Sequence, residues 1–536
     1  MSFYFSLFAA RRAALLAVAM LICATSPVIA QSGGDNPANP GSTDPEAKAA
    51  PSALGGFFSR IGSSIESVVS TGPRTKPQIA EVKQAPYAAS NEALGDSRDV
   101  SEQRLRGFGL VSLPSLTDYA NAVLGRLKAE SGVTGVPGHV LLVTKPGLEA
   151  ASTPDGNILV SLDWFNNLSS EDELAALLAH ELAHILLHHH DSNLFGRLQK
   201  QGQLLLAMGF QVSATLDRLT TGAATAKLTP NQLGVLQKME VYIKLTDQVL
   251  HPAWNRRQEL EADRLAIDLI QRAKYSYSNG FKNWLEKIRS WDAEQDAKRL
   301  VIEQDSQRVV QELMLSGKFD QGLQRGVGDA FKSVVDQLAL THDGGEKRVD
   351  EAQLYVEAIY PDMAKQSATT VPFLKLMNEP ANSRVLKAYK QTFEAQAAIT
   401  NGNYASAAKT LTPLFARNGP IANHAVPNYL MYEALAGLGR KKEAVVYLSK
   451  SFEAPDPAWK PFSLAADYYK NEDASKITGL GQMALARFEQ APALYPQLVG
   501  MYARTGQAQA MQQAQSECLL KYIQYRDDCN RAAKSN

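Results

Sequence analysis

Cysteine is scarce in this chain and net charge is absent. Three cysteines occur in 536 residues, at positions 23, 518 and 529, so no more than one intramolecular disulfide can form. Lys+Arg and Asp+Glu number 55 each, giving a formal net charge of zero. That balance leaves no electrostatic footprint for nucleic acid or another polyanion, so neither is an expected partner. After residue 30 no apolar run approaches the roughly 20 residues that cross a bilayer, and LLLAMGFQV reads as packed core. Histidine is also rare, nine in all, yet five of the nine crowd into LLAHELAHILLHHHDSN, residues 177–193.

The first thirty residues have their own layout. Arg11-Arg12 precedes the apolar run AALLAVAMLICA, and TSPVIA offers small residues at Val28 and Ala30 before Gln31. A positive end, a short apolar core and a small-residue site predict a secretory signal peptide over 1–30. Ser26-Pro27 interrupts the stretch before it is long enough for a retained anchor. Ile22 before Cys23 excludes lipidation, which needs a small residue there. Export implies an oxidising compartment. On one unbroken helix Cys518 and Cys529 would stand about 16 Å apart, too far to bridge. The pair therefore predicts a break near KYIQYRDD that lets a disulfide close, or else two free thiols; export favours the disulfide.

A length of 536 residues predicts more than one domain. Residues 31–99 are rich in Gly, Pro, Ser, Asn and Ala and read as a flexible linker that cannot offset its ordering entropy. Their apolar patch, FFSRIGSSIESVV, reads as a transient helix, with peripheral membrane association as the alternative. Leu116, Tyr119, Ala120, Val123 and Leu127 share helical spacing and predict a helix over 114–130. GHVLLVTK and GNILVSL read as strands joined through the turn residues of PGLEAASTPD. Ser170-Glu171-Asp172-Glu173 forms a capping box that opens an apolar, buried helix. Residues 195–375 read as mainly helical. Beyond residue 385, Gly402/Ala407 and Gly439/Ala444 repeat a spacing of five, and YARTGQAQA echoes it near Gly506. The first two glycines lie close to one tetratricopeptide period apart, so 386–536 reads as an α-solenoid of helix hairpins. The expected fold class is mainly α (α+β), with one small sheet.

The chemistry begins at His180-Glu181-Leu182-Ala183-His184. Histidines at i and i+4 project from one helix face about 6 Å apart and can grip one ion. Glu181 falls about 100° around the helix, where it serves a water rather than the ion. At ordinary residue frequencies such a match arises by chance about once in a hundred chains of this length. Zinc suits imidazole and carboxylate ligands, one ion per chain. The helix in NRRQELEADRLAIDLI supplies the third ligand. Taking 100° per residue, Ala262, Asp263, Ala266, Ile267 and Ile270 share the side of Glu259, whereas Glu261, Arg264 and Asp268 face what reads as solvent. Glu259 is the expected ligand, and Asp263, one turn later, is placed to accept the second N–H of a ligating histidine. His188, His189 and His190 read as solvated or outer-sphere groups. His188 continues the ligand face one turn too far along the axis to join the same ion.

HELAH followed by Asn255-Arg256-x-x-Glu259-x-x-Ala262-Asp263 resembles metallopeptidase family 48, the zinc gluzincins. The resemblance covers about residues 100–360 and implies a zincin-like metallopeptidase domain, taken here as 100–385. It implies zinc on His180, His184 and Glu259, Glu181 as general base, and Asp263 orienting a ligand. The family's Thr-His-Pro element is matched by Thr341 and His342, with Asp343 in place of proline, followed by Arg348. His342 and Arg348 are thereby expected to stabilise an oxyanion or to fill the open metal position. The signal peptide and repeats resemble the BepA-like periplasmic branch. That implies an endopeptidase of Gram-negative envelope quality control, acting on misfolded or stalled outer-membrane proteins, with repeats that recruit clients or assembly machinery. Substrate backbone is expected to add to GNILVSL as an extra edge strand. The alternative function is a chaperone or assembly scaffold with little proteolysis. Mass spectrometry of the chain expressed in a Gram-negative host is expected to find a mature N-terminus at Gln31; a retained Met1 would indicate an anchor.

Overall fold

A computed structural model of the protein describes residues 75–83, 86–90, 93–105, 109–190, 251–291, 344–363, 366–416 and 419–534. The expected signal peptide, LLLAMGFQV and the patch FFSRIGSSIESVV lie outside them, as do most of the long segments between the sequence motifs. Among the described residues, those at 77–190, 262–288 and from 362 onward form one compact unit. Those at 251–261, 289–291 and 344–361 belong to a second. The first unit includes residues on both sides of position 385.

Helix α1 (Asp96–Leu105) is followed by α2 (Pro114–Glu130). Pro114 sits in the first turn of α2, where its missing N–H costs nothing. Leu116, Ala120, Val123, Leu124 and Leu127 form the buried stripe that the periodicity predicts. Strands β1 (Val140–Val143), β2 (Ala150–Ser152) and β3 (Ile158–Ser161) make one sheet in the order β1-β3-β2. β3 pairs parallel with β1 and antiparallel with β2. This corrects the expectation that GNILVSL is an edge. Both its sides are already hydrogen-bonded, and all four residues of β3 are buried. β2 arises within PGLEAASTPD, read from its turn residues as a connection. Three residues are too few to show a period of two.

After the short helix α3 (Leu162–Asn167), helix α4 (Glu171–Leu186) is buried along nearly its whole length. Ser170 caps it by accepting the Glu173 N–H at 3.2 Å, and the Glu173 carboxylate accepts the Ser169 N–H at 2.7 Å. Negative charge suits this end of the dipole, but here all three first-turn acids are buried as well. Glu171 accepts from the Tyr119 hydroxyl, from Arg126, and from the Tyr275 hydroxyl at 3.0 Å. Asp172 accepts the backbone N–H of Ser276 at 2.7 Å and of Thr369 at 2.6 Å. Glu173 also meets Lys287 at 2.6 Å. Burial beside the Glu171 carboxylate pushes both tyrosine hydroxyls well above their usual range, so they stay protonated donors. The turn Tyr277–Phe281 closes on the same helix end. A Cβ at Gly280 would lie 2.8 Å from the Asp172 carbonyl, so only glycine fits.

Helix α5 (His251–Arg272) is continuous. Ala262, Leu265, Ala266, Ile267, Leu269 and Ile270 are fully buried, as the apolar face predicts. The opposite face differs from expectation: Arg264 and Asp268 are buried too. The cover comes from the segment read as flexible linker. Ile79 and Val82 are buried, and the Ile79 N–H donates to Asp268 at 2.8 Å. Composition shows that this segment has little apolar surface, and it takes only these residues to cover a helix face. Order therefore begins before residue 99.

Helix α6 (Gly344–Ile359) belongs to the second unit. The first unit resumes with α7 (Val371–Asn378), α8 (Pro380–Thr400), α9 (Tyr404–Leu411), α10 (Ala425–Gly437), α11 (Lys441–Glu453), α12 (Trp459–Glu472), α13 (Ser475–Arg487), α14 (Leu494–Arg504), α15 (Ala508–Lys521) and α16 (Arg526–Ala532). From α8 to α15, sequence neighbours pack on one another. The repeated glycines perform one task. Gly402, Gly439 and Gly506 have φ of +73°, +77° and +73° and end α8, α10 and α14. In each case the next residue's N–H reaches back to close the helix: Asn403 to Ala398, Arg440 to Leu435, and Gln507 to Tyr502. This is the Schellman closure, which requires a left-handed residue. α1 is tied to this array and to the sheet: Arg104 donates to the Arg487 carbonyl at 2.7 Å, and Asp99 accepts from Thr153 at 2.7 Å. The last helix breaks after Lys521 through Ile523–Tyr525, and Cys518 and Cys529 are joined by a disulfide across the break. Among the described residues no helix is long and apolar enough to cross a membrane.

Replacing Asp172 with alanine would strand the buried N–H of Ser276 and the half-buried N–H of Thr369. It is expected to destabilise the protein by about 2–5 kcal/mol, read as a lowered denaturation midpoint with an unchanged slope.

Candidate metal centre

Four residues apart on α4, the imidazoles of His180 and His184 meet edge to face, with ring centroids 4.8 Å apart. Their Nε2 atoms stand 3.2 Å from each other. A tetrahedral ion bound through nitrogen at about 2.0–2.1 Å would set neighbouring ligand atoms about 3.3–3.4 Å apart. The pair therefore fits such an ion with almost no adjustment. His180 is 5% exposed and Glu181 8% exposed, so both are buried with most of the helix.

The other nitrogen of His180 faces a buried carboxylate. Its Nδ1 lies 2.9 Å from Oδ1 of the buried Asp263 on α5. A carboxylate there holds the proton on Nδ1 and leaves the Nε2 lone pair for a metal. Trp284 flanks the same ring with centroids 5.1 Å apart, and in turn stacks with Trp164 at 6.4 Å. Two indoles thus fix the plane of His180.

Glu259 lies one turn before Asp263 on the continuous α5. His180, His184 and Glu259 each offer one ligand atom, and these atoms lie within 4.8 Å of one another. Arg348 of α6 reaches Glu259, with Nη1 3.2 Å from Oε2. That contact gives Arg348 a carboxylate partner, where the sequence reading set it beside an oxyanion or in the open metal position. Glu261, by contrast, pairs with Arg257 at 2.8 Å on its own helix. His342 lies outside the described residues.

Of the three trailing histidines, His188 differs from the helical continuation that the sequence suggested. α4 ends at Leu186, and His188 has a φ of +54°, so it does not continue the ligand face. Its ring stacks on Tyr87 at 5.3 Å. His189 turns back so that its Nδ1 lies 3.0 Å from Nδ1 of His184. His190 Nε2 lies 3.1 Å from Oγ of Ser152 on β2. Sequence reasoning missed Trp284, Tyr87 and Ser152 altogether. None shares a local motif with the histidines, and only the tertiary fold brings them close.

With this geometry in view, residues 114–355 match the model of Peptidase family M48. That segment is similar to an M48 metallopeptidase domain. The chain is similar, over 205 residues at 27% identity, to the beta-barrel assembly-enhancing protease of Escherichia coli (strain K12). A similar match to the protein of that name from Yersinia pestis runs over 181 residues at 28% identity. The first alignment covers 38% of this chain and 39% of the relative, the second 33% and 34%. The chain thus matches little more than a third of each curated relative's length.

Asp263→Ala is expected to lower affinity for a divalent metal about 10–100-fold by releasing the His180 ring. Competition against a chromogenic chelator measures it.

Proposed function

We propose that the chain is an exported zinc endopeptidase of the Gram-negative periplasm, cleaving envelope proteins such as misfolded or stalled outer-membrane proteins. The convergence of His180, His184 and Glu259 carries this reading, with Asp263 behind His180. The similarity to beta-barrel assembly-enhancing proteases supports the choice of substrate class. The helices beyond residue 385 then recruit clients or assembly partners, as paired-helix arrays do.

Zinc, when bound, supplies Lewis acidity toward a water molecule and the scissile carbonyl. The chain's residues do the rest. Glu181 takes a proton from the attacking water as its oxygen bonds to the carbonyl carbon, and returns that proton to the leaving amine nitrogen as the C–N bond breaks. His342 serves the oxyanion. Arg348 holds one oxygen of Glu259 and so limits the carboxylate's freedom. Substrate backbone adds along β2 rather than β3. β2 is the sheet edge that packs on α4, and its Ser152 touches His190.

Glu181→Gln is expected to retain one zinc per chain and to lose cleavage of an unfolded outer-membrane protein by at least a thousandfold. Full rescue of a null strain's envelope defects by this variant would favour the scaffold function over proteolysis.

A further inference from the structure

His189 has no part in the HExxH motif, yet its side chain and backbone both end on the second histidine of that motif. The Nδ1 atoms of His184 and His189 are 3.0 Å apart, with ring centroids 4.9 Å apart and planes at 76°. That edge-on approach suits an in-plane hydrogen bond, whereas stacked rings would have no N–H between them. The His189 N–H also donates to the His184 carbonyl at 3.0 Å, and the His188 N–H donates to Ile185 at 3.1 Å. Together these two bonds form a Schellman closure, with His188 at the position glycine usually occupies. A non-glycine residue at φ +54° costs about 1 kcal/mol or more. The stack of His188 on Tyr87 offsets part of that cost.

We infer that His189 is a positioning residue for His184. The inference rests on the metal-centre reading. If Nε2 of His184 faces an ion, as its 3.2 Å approach to Nε2 of His180 indicates, the ring's proton sits on Nδ1. His184 then donates from Nδ1 to the lone pair on Nδ1 of His189, and His189 keeps its own proton on Nε2. The two ligands are thus held from behind by different groups: a buried carboxylate on His180, and a neutral imidazole delivered by a strained turn on His184. Removing the acceptor frees the His184 ring to rotate and to move its proton to Nε2, where it blocks the metal.

Two substitutions separate positioning from packing. Asparagine is smaller than histidine but places Oδ1 near the position of Nδ1 as an acceptor; leucine fills comparable space and accepts nothing. Zinc affinity is measured by chelator competition on the full chain, with thermal melting of the metal-free protein beside it. His189→Leu is expected to weaken zinc about 10–100-fold, with metal-free melting within a few degrees of wild type. His189→Asn is expected to stay within about threefold of wild-type affinity. Wild-type affinity in His189→Leu, or weaker binding in His189→Asn than in His189→Leu, overturns the inference while leaving the metal centre intact. A wild-type chain that takes up no zinc defeats the metal-centre reading, and the inference falls with it.

Discussion

Three carboxylates at the start of α4 lie out of water, and the placement of His180 and His184 depends on how they are satisfied. Buried charge is tolerated only when its oxygens are well supplied with donors. Here the donors come from α2, from the turn after α5 and Lys287 beyond it, and from Thr369 before α7. Glu171, Asp172 and Glu173 point in three directions from one helical turn, so their partners fix the helix in translation and in rotation together. His180 follows Glu171 by nine residues, about 13 Å along the axis. The position of its backbone is set at that distance by contacts that involve no ligand. The contact between His180 and Asp263 then locks α4 to α5 in one register.

Much of the candidate site was legible in the sequence because it is written in helical periods. Spacings of four placed His180 and His184 on one face, and the same arithmetic separated Glu259 and Asp263 from Glu261. Periodicity failed where one helix face meets something distant. It assigned Arg264 and Asp268 to solvent, since a polar stripe looks the same whether water or another segment covers it. For Asp268 that cover includes Ile79, nearly two hundred residues upstream, within a stretch whose composition suggested no order at all. The same limit applies to GNILVSL. Its apolar run correctly marked a strand, but whether a strand is central or at an edge depends on its neighbours, and β2 is only three residues long.

The three histidines after the motif are also a case of this kind. Counted as helix, they project along the ligand face and away from it. The chain instead leaves the helix at Leu187, and one left-handed residue redirects all three side chains. His188 goes to an aromatic partner, His189 to His184, and His190 to the sheet. Local sequence offered no glycine to announce the turn, unlike the three turns at Gly402, Gly439 and Gly506, which the repeat spacing exposed at once.

In a row of stacked helices, an interior pair has neighbours on both sides and the last pair has one. The end of such an array is where thermal opening begins. Here the terminal hairpin carries the link between Cys518 and Cys529, both fully buried among Tyr495, Leu498 and their neighbours. The covalent bond ties together the two helices on either side of the break at Ile523–Tyr525. The array's resistance to fraying at that end is therefore tied to the redox state of its surroundings, and the same polypeptide in a reducing compartment would have a looser C-terminus.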